Sequence, residues 1–157
     1  MISRLNEQIA REQLPLARFD EKGFSVTTGP FGTLFALYDE PNNALRLYAE
    51  VLELTDAIRS DAGLLLRLLA FSGPAAPSPF LRVGTDLRGR FLWASASIDL
   101  SGHWEEGARR DVERFIREYR ELIERLSALS DKGASEPHVE ASALAAGALD
   151  LPQVIWG

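Results

Sequence analysis

His103 and His138 are the only histidines in the 157-residue chain, and there is no cysteine beside them. His103 stands next to Trp104, Glu105 and Glu106, a setting in which a carboxylate would tune a general base. The same glutamates also suit the first turn of a helix, where carboxylates meet the positive end of the helix dipole. His138 lies in a Ser-, Gly- and Ala-rich stretch that offers it no rigid support. Neither histidine belongs to an HxxxH or HExxH pattern, so a histidine-based metal centre is not expected. Glu50 and Glu53 lie on one strand-like segment, and strict alternation sends residues three apart to opposite faces. No Gly-x-Ser-x-Gly elbow supplies a nucleophile. Gly29-Pro30-Phe31-Gly32 and the run from Gly84 to Gly89 lack the Gly-Lys-Ser/Thr ending of a phosphate loop and read as turns. These residues predict no catalytic site, no metal and no cofactor.

The elements that would position such groups follow from hydrophobic period. Ile2, Leu5 and Ile9 recur at helical spacing, predicting a helix over Ile2 to Gln13 that ends before Pro15. Phe24 to Thr28, Thr33 to Tyr38 and Ala44 to Leu54 read as three strands joined by the turns Gly29–Gly32 and Asp39–Asn43, an antiparallel meander. A helix over Asp56 to Phe71 carries leucine nearly all round, a composition that asks for cover on more than one side. The Pro-rich loop Ser72–Pro79 stops it. Phe80 to Thr85 and Arg90 to Ile98 then form a hairpin around Asp86-Leu87-Arg88-Gly89. In the last helix, about His103 to Leu129, the residues Ala108, Val112, Phe115, Tyr119, Leu122, Leu126 and Leu129 recur in 4-3-4-3 spacing. Glu113–Arg117 and Glu121–Arg125 offer i,i+4 pairs on its outer side. The order α-β-β-β-α-β-β-α predicts an α+β fold, helices packed on an antiparallel sheet. One domain is expected over residues 1–130, followed by a flexible tail over 131–157.

Composition narrows the function classes. Hydrophobic residues make up 46% of the chain and charged residues 25%, an ordinary globular balance with enough length to bury a core unaided by disulfides. A net charge of −6 speaks against a sequence-independent nucleic-acid partner, which needs a positive surface. The start of the chain is polar, and no apolar run nears the roughly 20 residues of a membrane span. A cytoplasmic location with no membrane partner is therefore expected. What the chain has in surplus is apolar: both alternating sets of the second strand, Leu34, Ala36 and Tyr38 against Phe35 and Leu37, are hydrophobic. Either that strand is buried on both sides, or a second chain covers one face.

The pattern resembles the class I type III secretion chaperones, typified by the Tir chaperone. The resemblance is carried by the leucine-rich run Leu64-Leu65-Leu66-Arg67-Leu68-Leu69-Ala70-Phe71, the strand–turn–strand passage from Leu81 to Trp93 around Asp86-Leu87-Arg88-Gly89, and the final helix centred on Phe115. It spans residues 1 to 130. It implies a homodimer that holds the N-terminal segment of a secreted effector extended and export-competent, with the secretion apparatus ATPase as a further partner. By position, the dimer contact would fall on Leu64, Leu68, Phe71, Phe91 and Trp93. The client patches would fall on Ile2, Leu5, Ile9, Phe35 and Leu37. The tail is longer than that pattern calls for; its apolar end, Leu149 to Trp156, would either occupy the client groove or hang free. Two other readings stay open: a small non-catalytic regulatory or adaptor domain of the same architecture, and a small enzyme built on converging carboxylates or a partner for His103.

Overall fold

A computed structural model describes residues 1–70, 80–101 and 104–130 of the chain. The elements run α1 (Ile2–Glu12), β1 (Phe24–Gly29), β2 (Gly32–Asp39), β3 (Ala44–Glu53), α2 (Asp56–Ser60), α3 (Ala62–Ala70), β4 (Arg82–Thr85), β5 (Phe91–Asp99) and α4 (Trp104–Ser130). The strands form one sheet in the order β1-β2-β3-β5-β4, and every neighbouring pair is antiparallel. This is the expected α+β arrangement, a three-strand meander extended by a hairpin that docks its second strand against β3.

The core lies between the sheet and the helices α1 and α4. Alternation turns Leu34, Ala36 and Tyr38 of β2, Leu45, Leu47 and Ala49 of β3, and Ala94, Ala96 and Ile98 of β5 to the same side, in register across the three strands. Onto them α4 lowers its 4-3-4-3 row, of which Val112 and Phe115 are fully closed from solvent and Ala108, Tyr119, Leu122 and Leu126 nearly so. Each large side chain buried in this way contributes roughly 1.5–3 kcal/mol by leaving water. Leu5 and Ile9 of α1 complete the cluster.

Leu14, Leu16 and Phe19, in the connection after α1, are also core. The chain leaves α1 through Gln13 in a left-handed conformation (φ 50). Asn6 then grips the backbone of Phe19 from both sides, Oδ1 accepting its N–H at 2.7 Å and Nδ2 donating to its carbonyl at 3.0 Å. The Ser25 hydroxyl donates to the Ala17 carbonyl at 2.8 Å, and Thr27 Oγ1 accepts the Ala17 N–H at 2.6 Å. The connection is thus tied to the helix and, through the Ser25 and Thr27 side chains, to edge strand β1.

Three expectations need correction. The middle helix is not continuous from Asp56 to Phe71. Asp61 adopts an extended conformation (φ −90, ψ 90) that ends α2, and its Oδ1 accepts the Leu64 N–H at 2.9 Å. A short acceptor side chain here caps a new helix better than it continues the old one. The first strand of the hairpin begins at Arg82 rather than Phe80, with the Phe80 ring instead lying 4.5 Å beneath the Arg114 guanidinium of α4. On α4, Glu113 pairs back to Arg109 at 2.8 Å rather than forward to Arg117. Phe71, the loop 72–79, His103 and the tail 131–157, including His138, lie outside the described residues.

Candidate functional surface

The sheet face turned away from α1 and α4 carries the second alternating set of strand side chains. Alternation places Phe24 and Val26 of β1, Phe35 and Leu37 of β2, Arg46 and Tyr48 of β3, and Trp93, Ser95 and Ser97 of β5 on it. Phe24 stacks on Phe35 with ring centroids 6.2 Å apart, and Phe35 meets the edge of Trp93 at 5.7 Å. β2 and β5 are separated by β3, so their backbones stand about 9.6 Å apart. The two rings must therefore lean towards each other over β3, forming an aromatic bridge worth roughly 0.5–1.5 kcal/mol beyond its burial.

The bridge leaves apolar surface at its margin. Val26 is 43% exposed, while Phe24, Phe35 and Leu37 are half-buried. Trp93 is buried, yet its Nε1 has no hydrogen-bond partner among the described residues, and the same holds for Ser95 Oγ two residues on. Indole N–H and hydroxyl groups are normally paired when they are buried. At the β3 end of the face Arg46 donates to Asp39 through Nε at 2.7 Å and through a second nitrogen. Hydrogen bonds from Asn42 and then Arg46 hold the Asp39 carboxyl below its ordinary value.

Glu50 and Glu53 are brought to one face, contrary to the expectation from strict alternation. β3 shifts register between Glu50 and Leu52, so that Glu50 stands opposite Trp93 and Glu53 opposite Phe91. Trp93 and Phe91 are two apart on β5 and share a face. An extra residue in a strand has this effect on everything beyond it. Burial first, and the Glu53 charge second, push the Glu50 carboxyl above its ordinary value. Glu53 is exposed, so the pair lacks the enclosed pocket that acid–base chemistry would use. Among the described residues no group of three His, Cys, Asp or Glu side chains is placed to hold a metal ion. No helix among them is long and apolar enough to cross a membrane.

Of the residues assigned by resemblance to client contact, Phe35 and Leu37 lie on the outer face and Ile2 packs half-buried at the core margin. Leu5 and Ile9 are core residues, 2% and 6% exposed, and a client could touch them only if α1 moved. Of those assigned to the dimer contact, Leu64 and Phe91 are half-buried and Trp93 is buried. Phe71 is not described, nor is the Leu68 side chain. Sequence reading passed over two exposed side chains, Val26 and Leu66, the latter 68% exposed on α3. Leu66 is hidden in a run of leucines, and Val26 is one short aliphatic in a strand that also holds Ser and Thr.

No protein-family model matches the chain, and no curated protein matches it either. Among solved structures it is similar to a chain of the HopA1–SchA chaperone–effector complex, at 18% identity and a TM-score of 0.58, covering 78% of this chain and 91% of that one. It is also similar to a chain of the ExsC–ExsE complex, at 17% identity and a TM-score of 0.54, over 80% and 96% of the two chains. A third similarity is to a chain of the heterodimeric ExoU–SpcU complex from the type III secretion system of Pseudomonas aeruginosa, at 16% identity and a TM-score of 0.56, over 76% and 95%. At these identities the likeness is one of fold: the chain shares its α+β fold with a chain of each of these three complexes.

Proposed function

We propose that this protein is a cytoplasmic type III secretion chaperone, acting without catalysis, that binds the N-terminal segment of a secreted effector as a homodimer and keeps it export-competent. The observation that carries this reading is the outer sheet face. An aromatic bridge, with buried donors unpaired among the described residues and an exposed aliphatic edge, sits on a fold shared with a chain of a chaperone–effector complex and a chain of a complex from a type III secretion system. An extended client suits such a face, because alternate side chains can enter shallow pockets while its backbone bonds to a sheet edge. Apolar contacts of this kind tolerate varied client sequences. The exposed Leu66 and half-buried Leu64 and Leu65 of α3 would supply an apolar helix surface for the second copy, with Phe91 and Trp93 of β5 the further residues assigned to that contact.

The test is coexpression with the first ~100 residues of the protein encoded by the adjacent gene, a length sufficient to wrap a large surface in extended form. The expected result is a stable complex containing two copies of this chain and one of the client. A strict monomer of 17.4 kDa that never retains the segment would overturn the reading in favour of a small adaptor domain.

A further inference from the structure

The outer face is apolar along its aromatic bridge and changes character at one end. The β3 bulge sets Glu50 opposite Trp93, the last ring of the bridge, and Glu53 opposite Phe91. Glu50 is half-buried there and Glu53 is exposed. A strand without the bulge would send Glu53 to the face under α1 and α4, so the extra residue gathers both carboxyls beside the rings. We propose that this carboxyl pair makes capture at the outer face proton-linked: an apolar extended segment binds with Glu50 protonated, is held more tightly as pH falls and is released as pH rises.

The charge on Glu50 meets no counter-ion. Among the described residues no ion pair joins Glu50 or Glu53 to a cation. β1 and β2 bring Val26, Thr28, Thr33 and Phe35 to this side, none of them charged. On β4, Gly84 stands opposite Trp93, and Arg82 in the next row already has a partner. On β5, Arg90 lies over the Phe91 ring at 5.6 Å and faces Asp86 at 4.0 Å. On β3 itself Arg46 is paired with Asp39, and the residue between Arg46 and Glu50 on this face is Tyr48. From α4, Tyr119 donates its hydroxyl proton to the Glu50 carbonyl, not to the carboxyl.

Burial and then the Glu53 charge already favour the protonated form of Glu50 in the free protein. Phe35 and Tyr48 are half-buried register partners in the row beside it, and an apolar segment laid over them would take further water from Glu50. Such a segment brings no positive charge. A carboxylate under it loses hydration without compensation, whereas a carboxylic acid loses far less. Binding therefore raises the Glu50 value further. The added affinity is fully present below the value in the free protein and is lost as pH rises through the value in the bound one.

This inference rests on the extended-client reading above, and its test separates the two. The probe is a blocked, rhodamine-labelled, threonine-rich nonapeptide with leucine at its third, fifth and seventh positions, and the control is its all-threonine counterpart. Titrated against the full chain, the leucine peptide should bind about fivefold more tightly at about pH 6 than at about pH 8, and more tightly than the control at both. Glu50→Gln should bind it at the higher pH as tightly as the parent does at the lower. Histidines also titrate in this interval, but both are present in Glu50→Gln, so a dependence lost in that variant belongs to Glu50. Glu53→Gln, at an exposed position, should leave about a twofold difference. Both replacements keep the side-chain shape and should keep the parent circular dichroism spectrum. Equal binding of the leucine peptide at the two pH values, or a difference undiminished in either variant, would overturn the proton link and leave extended capture standing. Failure of the leucine peptide to bind the parent at either pH would overturn the link and count against extended capture as well.

Discussion

The Tyr119 hydroxyl of α4 donates a 2.6 Å hydrogen bond to the backbone carbonyl of Glu50, at the point where β3 loses its register with β5. A bulge leaves a strand carbonyl without its usual ladder partner, and here the helix that covers the sheet supplies one. The same ring stacks parallel to Phe115 one turn earlier on α4. The irregularity in the sheet and the helix over it are thus one unit.

Tyr119→Phe would keep the stack and remove only the donor. The carbonyl at the bulge would then be buried without a partner, at a cost of roughly 1–2 kcal/mol. Urea unfolding monitored by far-UV circular dichroism would register the loss. An unchanged midpoint would mean that water reaches the carbonyl as readily as Tyr119 does.

Glu50 gives the protein a specific dependence on pH. Its carboxyl is raised above the ordinary value of 4.5, by burial and then by Glu53, so the folded state binds this proton more tightly than the unfolded chain does. The stabilisation is fully present below the ordinary value and is lost as pH rises through the raised one. Glu50→Gln should therefore be more stable than the parent at about pH 7, with the difference closing at about pH 4. Paired denaturant titrations at the two pH values measure it, and a gap of the same size at both would exclude the ionisation as the cause.

Val26→Asp tests the exposed end of the outer face. Val26 is 43% exposed at the edge strand, so the substitution should alter stability by no more than about 0.5 kcal/mol. Client retention should fall at least tenfold, read by pull-down of the coexpressed effector segment. Full retention would move the client off this face.

Leu66→Glu tests the second copy. At 68% exposure this side chain contributes little to the fold of one chain, and a charge there would be desolvated on dimerisation. Light scattering should report a shift from dimer to monomer with an unchanged helical signal. A persistent dimer would place the interface elsewhere.

Much of this architecture is legible along the chain. The 4-3-4-3 row of α4, from Ala108 to Leu126, specifies its buried side in advance, because a helix repeats its faces every 3.6 residues whatever it packs against. The strands of the meander and the Asp86–Gly89 turn follow from alternation and turn chemistry in the same way. Asp61 shows the limit of local pattern: the apolar run around it reads as one helix, and the break arises because its side chain caps Leu64 instead.

What the sequence by itself determined is the set of elements apart from the break at Asp61, their order and the buried row of α4, since these depend on periods a few residues long. Only the tertiary structure decided that β5 lies beside β3, which sets Phe35 against Trp93. Only it decided that a bulge turns Glu53 to the side of Glu50, and that Leu14, Leu16 and Phe19 are core. Each of these depends on residues far apart in sequence meeting across strands or between layers, and no spacing along one segment encodes which distant strand will be its neighbour.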